Sequence, residues 1–208
     1  YLSANLTNKK NLDNHLLKGL STIGVSKKLK DSIYTFEYNN FEQLLKLVNK
    51  KNIGVIKMEV VRNLGPSNNF LQKVRELATK KNIVLIFDEC TSGFRETYGG
   101  IHKKYKVYPD LAVFGKSLGN GIPITAKIGK KNIMNQALPS FISSTFWSER
   151  VGFVAALSTL EIMEKEESWN YITKLGLKIR SKWQELAKKN LIKINISGIP
   201  AISSFSFN

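Results

Sequence analysis

The chain of 208 residues is 42% apolar and 10% aromatic, with 14 Gly, 5 Pro and a single Cys. This composition excludes a disordered chain, a collagen-like repeat and a disulfide scaffold. The formal net charge is +16, from 32 basic and 16 acidic residues, but it is spread rather than concentrated. Lysine doublets at 50–51, 80–81, 130–131 and 188–189 run along the whole length, and three of the four fall where helices are expected to end, as the helix dipole favours. No arm or face gathers the charge and no interleaved aromatic motif accompanies it, which argues against a nucleic-acid partner. No run of about 18 uncharged apolar residues is present, so no spanning helix is expected, and the first segment lacks the order of a secretory signal. The expectation is a soluble, cytoplasmic protein with no membrane partner. The chain begins at Tyr1 and stops at Asn208 within an expected strand, which reads as a piece of a longer protein.

Residues 1–32 are polar with scattered leucines and read as irregular. Tyr34, Phe36 and Tyr38 alternate, which predicts a short strand. Asn40 with Gln43 three residues on has the form of a helix cap, and Phe41, Leu44, Leu45 and Val48 share one helical stripe. An apolar strand is expected over 53–60, then a helix in which Phe70, Val74, Leu77 and Ala78 share a face. The run 83–87 (IVLIF) predicts a strand covered on both faces. Further strands are expected at 111–114, 122–128 and 141–145. Two long helices follow, near 150–166 and 169–189, the second striped by Ile172, Leu175, Ile179, Trp183 and Leu186. Strands alternating with helices predict an α/β fold with a mainly parallel central sheet flanked by helices. The division expected is 1–166 as part of a large domain, and 167–208 as a linker helix and the start of a small α+β domain.

In such sheets, ligands sit at the carboxyl ends of the strands. Asp88 follows the IVLIF run directly and Lys116 lies two residues past the 111–114 strand, so both can project into one crevice. From position alone, Asp88 could equally be a turn residue and Lys116 a solvated lysine. Lys116 stands in FGKSLGNGIP, where Gly115, Gly119 and Gly121 leave the backbone bare for a planar ligand. A phosphate loop requires glycine at position 110, which holds Asp, and a dinucleotide fingerprint lacks its third glycine. A lysine presented with an aspartate suits pyridoxal phosphate chemistry. The amine, expected to be partly desolvated, forms a Schiff base, and the carboxylate keeps the ring nitrogen protonated.

The strings LIFDECTSGFRETYGG (85–100), YPDLAVFGKSLGNGIPITAKIG (108–129) and SSTF (143–146) resemble the class III, fold-type I aminotransferases, nearest the glutamate-1-semialdehyde aminomutase branch. The resemblance covers about residues 53–165. It implies that Lys116 is the Schiff-base lysine and Asp88 the partner of the ring nitrogen. It also implies that Thr145 donates to the cofactor phosphate of a neighbouring subunit, which makes the active unit a homodimer. Cys90 and Thr91 occupy the positions where the family has Val and then Gln or Met, which serve ring packing and the phenolic-oxygen contact. Glu59 and Arg95 match family positions read as structural. After Thr145 the family's Ser-Gly-Asn-Pro is replaced by Trp147, Ser148, Glu149 and Arg150, and the upstream phosphate loop and ring-stacking aromatic have no match.

The implied function is amino-group transfer on a small amino acid or amino aldehyde, between two molecules or within one. A catalytically inactive protein of the same fold and a basic nucleic-acid-binding domain are the alternatives. No metal site is expected: Cys90 has no partner cysteine and reads as a small packed side chain, while His15 and His102 share no ligand spacing and read as surface or loop residues. Trp183 reads as core. Trp147 alone of the tryptophans has a site role open to it, through its nearness to Thr145.

Overall fold

The computed structural model describes residues 26, 28, 32–143, 145, 146 and 148–207. Two compact units divide the chain, residues 1–53 and 54–208. In the first, α1 (Phe41–Lys50) starts as its cap predicts, with the Asn40 side chain accepting from the Gln43 amide at 3.1 Å. Leu44 and Val48 are its buried positions. The expected strand at 34–38 does not form. Its backbone is used locally instead: the Glu37 amide donates to Gln43 Oε1 at 2.6 Å, the Glu37 carbonyl accepts from the Asn40 amide, and Lys51 lies 5.1 Å over the Tyr34 ring. A backbone engaged in a capping turn has no groups free for a ladder.

The second unit is built on a four-stranded sheet in the order β1 (Val55–Glu59), β2 (Val84–Asp88), β3 (Leu111–Phe114), β4 (Ala126–Gly129). The first three strands are parallel and β4 is antiparallel to β3. The pleat sends Ile56, Met58, Leu85, Phe87, Ala112 and Phe114 to one face, where all are buried. Helix α2 (Phe70–Lys80) packs against β2 and buries Phe70, Leu71, Val74, Leu77 and Ala78. The four larger side chains each contribute about 1.5–3 kcal/mol by leaving water. The opposite face, with Ile86 and Asp88, is only half-buried, so β2 lacks the full two-sided cover expected of it.

Asp110 ties these layers together. Its carboxylate accepts from the Leu85 amide at 2.8 Å and pairs with Arg75 of α2 at 2.9 Å and Lys130 at 2.7 Å. Residues 122–125 do not extend β4 as expected. Ile122 donates its amide back to Gly119 and Pro123 has none to give, so pairing begins only at Ala126. The strand expected at 141–145 is absent among the described residues, and Phe141 is 97% exposed.

After a short α3 (His102–Tyr105) and α4 (Lys131–Met134), two long helices form where expected: α5 (Arg150–Glu166), capped by the Glu149 carboxylate, and α6 (Ser168–Lys189). A cluster of Phe94, Ala112, Phe114, Leu118 and Ala156 joins α5 to the sheet. The α6 stripe is not the core it was expected to be. Leu175, Ile179 and Leu186 are exposed, and the buried position is Gly176, where an added Cβ would collide with the Pro200 carbonyl oxygen. Trp183 is half-buried against Phe205, ring centroids 5.0 Å apart, in the antiparallel pair β5 (Ile194–Ser197) and β6 (Ser204–Phe207). Among the described residues, no helix is long and apolar enough to cross a membrane.

Candidate active site

Strands β2 and β3 end side by side: Asp88 pairs with Val113, and the Glu89 amide donates to the Val113 carbonyl at 2.8 Å. Asp88 closes β2 and turns the chain, its Oδ1 accepting from the Cys90 amide at 3.2 Å. Its Oδ2 lies 2.9 Å from Lys57 Nζ of β1. Beyond β3, Lys116 opens a single 3-10 turn with φ of +46°. That left-handed conformation costs a non-glycine residue about 1–3 kcal/mol and is held only where surroundings demand it. Lys116 Nζ donates to Thr91 Oγ1 at 2.7 Å. The amine and the carboxylate singled out from the sequence are therefore joined through one four-residue run, 88–91.

Gly115 permits this closeness. A Cβ there would lie 2.8 Å from Cys90 Sγ and 3.3 Å from a Thr125 methyl carbon, so the half-buried Cys90 packs against bare backbone. Lys116 itself is exposed, contrary to the expected partial desolvation: the residue before it has no side chain to cover it, and Thr91 meets it at one point only.

The run 88–91 is anchored from beneath by a group that sequence reasoning missed. Glu89 is 0% exposed. Its Oε2 accepts from the Ser92 hydroxyl at 2.5 Å and the Ile101 amide at 3.1 Å, while its Oε1 accepts from the His102 amide at 3.0 Å and lies 2.8 Å from His102 Nδ1. His102 is buried, not the surface or loop residue expected, because this carboxylate draws it inward. Its ring also packs near Phe87 and Tyr108. The signal available was the acidic pair Asp88-Glu89 straight after an apolar strand, since a second carboxylate there must find donors or stay in water.

Arg95 directs Nε to the Thr91 carbonyl at 3.5 Å, and burial lowers its pKa below the ordinary guanidinium range. Its own carbonyl accepts from Thr173 of α6 at 3.2 Å, and Tyr98 packs on Trp169 with centroids 5.6 Å apart. Glu59 pairs with Arg62 at 3.4 Å. Thr145 is exposed in a turn and, among the described residues, shares no hydrogen bond with Lys116, Asp88 or Cys90. His15 and Trp147 lie outside the described residues. The Ser117 hydroxyl, next to Lys116, is buried with no partner among the described residues.

A family model described as "Aminotransferase class-III" matches residues 17–207. The 3-aminobutyryl-CoA aminotransferase of Cloacimonas acidaminovorans is 34% identical over 193 residues, covering 88% of this chain and 47% of the relative. The glutamate-1-semialdehyde 2,1-aminomutase of Sulfolobus acidocaldarius is 39% identical over 150 residues, covering 69% of this chain and 36% of the relative. Among solved structures, the FumI protein of Sphingopyxis sp. MTA144 in its PLP internal aldimine form superposes with a TM-score of 0.85 at 18% identity, over 99% of this chain and 56% of that one. An omega-transaminase from Sphaerobacter thermophilus gives 0.81 at 25% identity, over 89% of this chain and 45% of that one. The chain thus spans half or less of the length of the curated relatives described. It belongs to the class III aminotransferases and has the fold of the pyridoxal-phosphate-dependent transaminases.

Proposed function

We propose that this chain forms part of an enzyme that moves an amino group, between two substrates or within one, with pyridoxal 5′-phosphate held at the β2–β3 strand ends. The observation that carries the reading is the tie from Lys116 Nζ to the loop that starts at Asp88. The donor set suits the cofactor. It offers a primary amine for imine formation, a carboxylate whose outer oxygen already takes a cation at 2.9 Å, and bare backbone at Gly115. When bound, pyridoxal phosphate supplies an electrophilic aldehyde and a ring that withdraws electrons from the substrate's alpha carbon.

Asp88 would hold the proton on the ring nitrogen, and Cys90 would pack beneath the ring. Lys116 would anchor the cofactor and, once displaced by the substrate amine, carry a proton to and from the substrate carbon. Thr91, which accepts from Lys116 here, would aim that amine and reach the phenolic oxygen. Thr145 would serve the phosphate of a neighbouring subunit in a homodimer. The substrate is a small amino acid or amino aldehyde, the class named for the aminomutase relative, and not the coenzyme A thioester named for the aminotransferase relative. We place residues 1–166 in the cofactor-binding domain, 167–208 at the start of the small domain, and the protein in the cytoplasm, without nucleic-acid or membrane partners.

In the complete protein, Lys116→Ala should abolish turnover and the visible absorption of lysine-bound cofactor. Asp88→Asn should weaken cofactor retention and slow proton removal. Full activity in either variant would refute the corresponding role.

A further inference from the structure

Lys57 is out of pattern. Strand β1 reads Val-Ile-Lys-Met-Glu and pairs in parallel with β2, and parallel strands ordinarily run as unbroken apolar stretches. A cation midway along such a strand stands out, and this one has a partner: the register sets Lys57 beside Ile86 and Glu59 beside Asp88, all on one face, and the ammonium reaches along the seam to Asp88 Oδ2 at 2.9 Å. The other oxygen, Oδ1, accepts from the Cys90 amide.

We propose that Lys57 is a positioning residue that holds the outer oxygen of Asp88 and thereby weakens the grip of that carboxylate on the cofactor's ring nitrogen. The inference rests on the cofactor reading above. One carboxylate would serve two cations: a protonated ring nitrogen would meet an acid already partly neutralised by the Lys57 ammonium at 2.9 Å, and that ammonium would oppose a second positive charge. Lys57 keeps the carboxylate aimed while it tempers its pull. Because the Lys57 side chain is 60% exposed and that of Asp88 24%, solvent screens the effect. An exposed pair of this kind shifts an equilibrium by up to about five-fold.

The test is cofactor titration of the complete apoprotein with wild type, Lys57→Met, Lys57→Gln and Lys57→Arg, together with the 15N shift of ring-labelled pyridoxal phosphate at one fixed pH. Lys57→Met and Lys57→Gln should bind about three- to five-fold more tightly, Lys57→Arg should stay within about two-fold of wild type, and the ring nitrogen should become more fully protonated in the neutral variants. A merely structural lysine would change the melting temperature without moving the ring-nitrogen signal. Unchanged or weaker binding in both neutral variants, with Lys116 still labelled by borohydride in the wild type, would overturn the role of Lys57 and leave the cofactor reading standing. Loss of labelling at Lys116 in the wild type would bring down both.

Discussion

Replacing Glu89 by alanine should loosen the loop that carries Thr91. Four donors converge on this buried carboxylate: the Ser92 hydroxyl, the Ile101 and His102 amides, and the His102 ring nitrogen. The hydroxyl can turn elsewhere; the two amides cannot. A buried amide stripped of its acceptor costs about 1–3 kcal/mol, which is about five- to 150-fold in a local opening equilibrium. Native-state hydrogen exchange reads that equilibrium amide by amide. In Glu89→Ala, exchange at Ile101 and His102 should quicken by a factor in that range, while the amides of α2 keep their rates. Glu89→Gln gives a sharper outcome. Its single remaining oxygen can serve either the Oε2 partners or the Oε1 partners, so one of the two amides should speed up and the other stay protected. Cofactor affinity should fall in both variants, because Lys116 loses a fixed Thr91. Changes under about two-fold at both amides in Glu89→Ala would refute the argument that this carboxylate holds the loop.

Asp110 sets a stability requirement of its own. Burial pushes its pKa up, but the Leu85 amide, Lys130 and Arg75 outweigh that and hold it below the ordinary 3.8. The unfolded chain therefore takes up the proton first. The stability this group contributes is complete above the unfolded value and is lost as pH falls through the lower folded one. Asp110→Asn should cost about 2 kcal/mol at neutral pH and flatten the fall of the urea midpoint in acid; an unchanged midpoint at neutral pH would contradict the reading. Gly115→Ala should weaken cofactor binding by displacing Cys90 and the backbone ahead of Lys116, and Cys90→Ala in the same chain should restore part of it. No rescue would mean that the crowding at Cys90 Sγ is not the cause.

Much of the site's frame was legible because apolar runs end sharply. The IVLIF run stops at Asp88 and the 111–114 run stops just before Gly115 and Lys116, and the sheet places both ends together. Asn40 was legible as a cap because its bond is local. What escaped the sequence depends on side chains meeting across distance. Glu89 and His102 are 13 residues apart and no periodicity links them, so His102 read as a surface residue. Lys57 meets Asp88 only because two strands align in register. The stripe on α6 marks an apolar face but not what covers it, and Leu175, Ile179 and Leu186 are exposed. The apolar run at Phe141 has the composition of a strand without a neighbour to pair with among the described residues.

The most direct test of the assignment is borohydride reduction of the complete, cofactor-loaded protein, followed by peptide mapping. The account predicts a pyridoxyl group fixed on the Nζ of Lys116, in the peptide that also carries Gly115 and Ser117. A pyridoxyl group on any other lysine, or none on a protein that retains the cofactor, would contradict it.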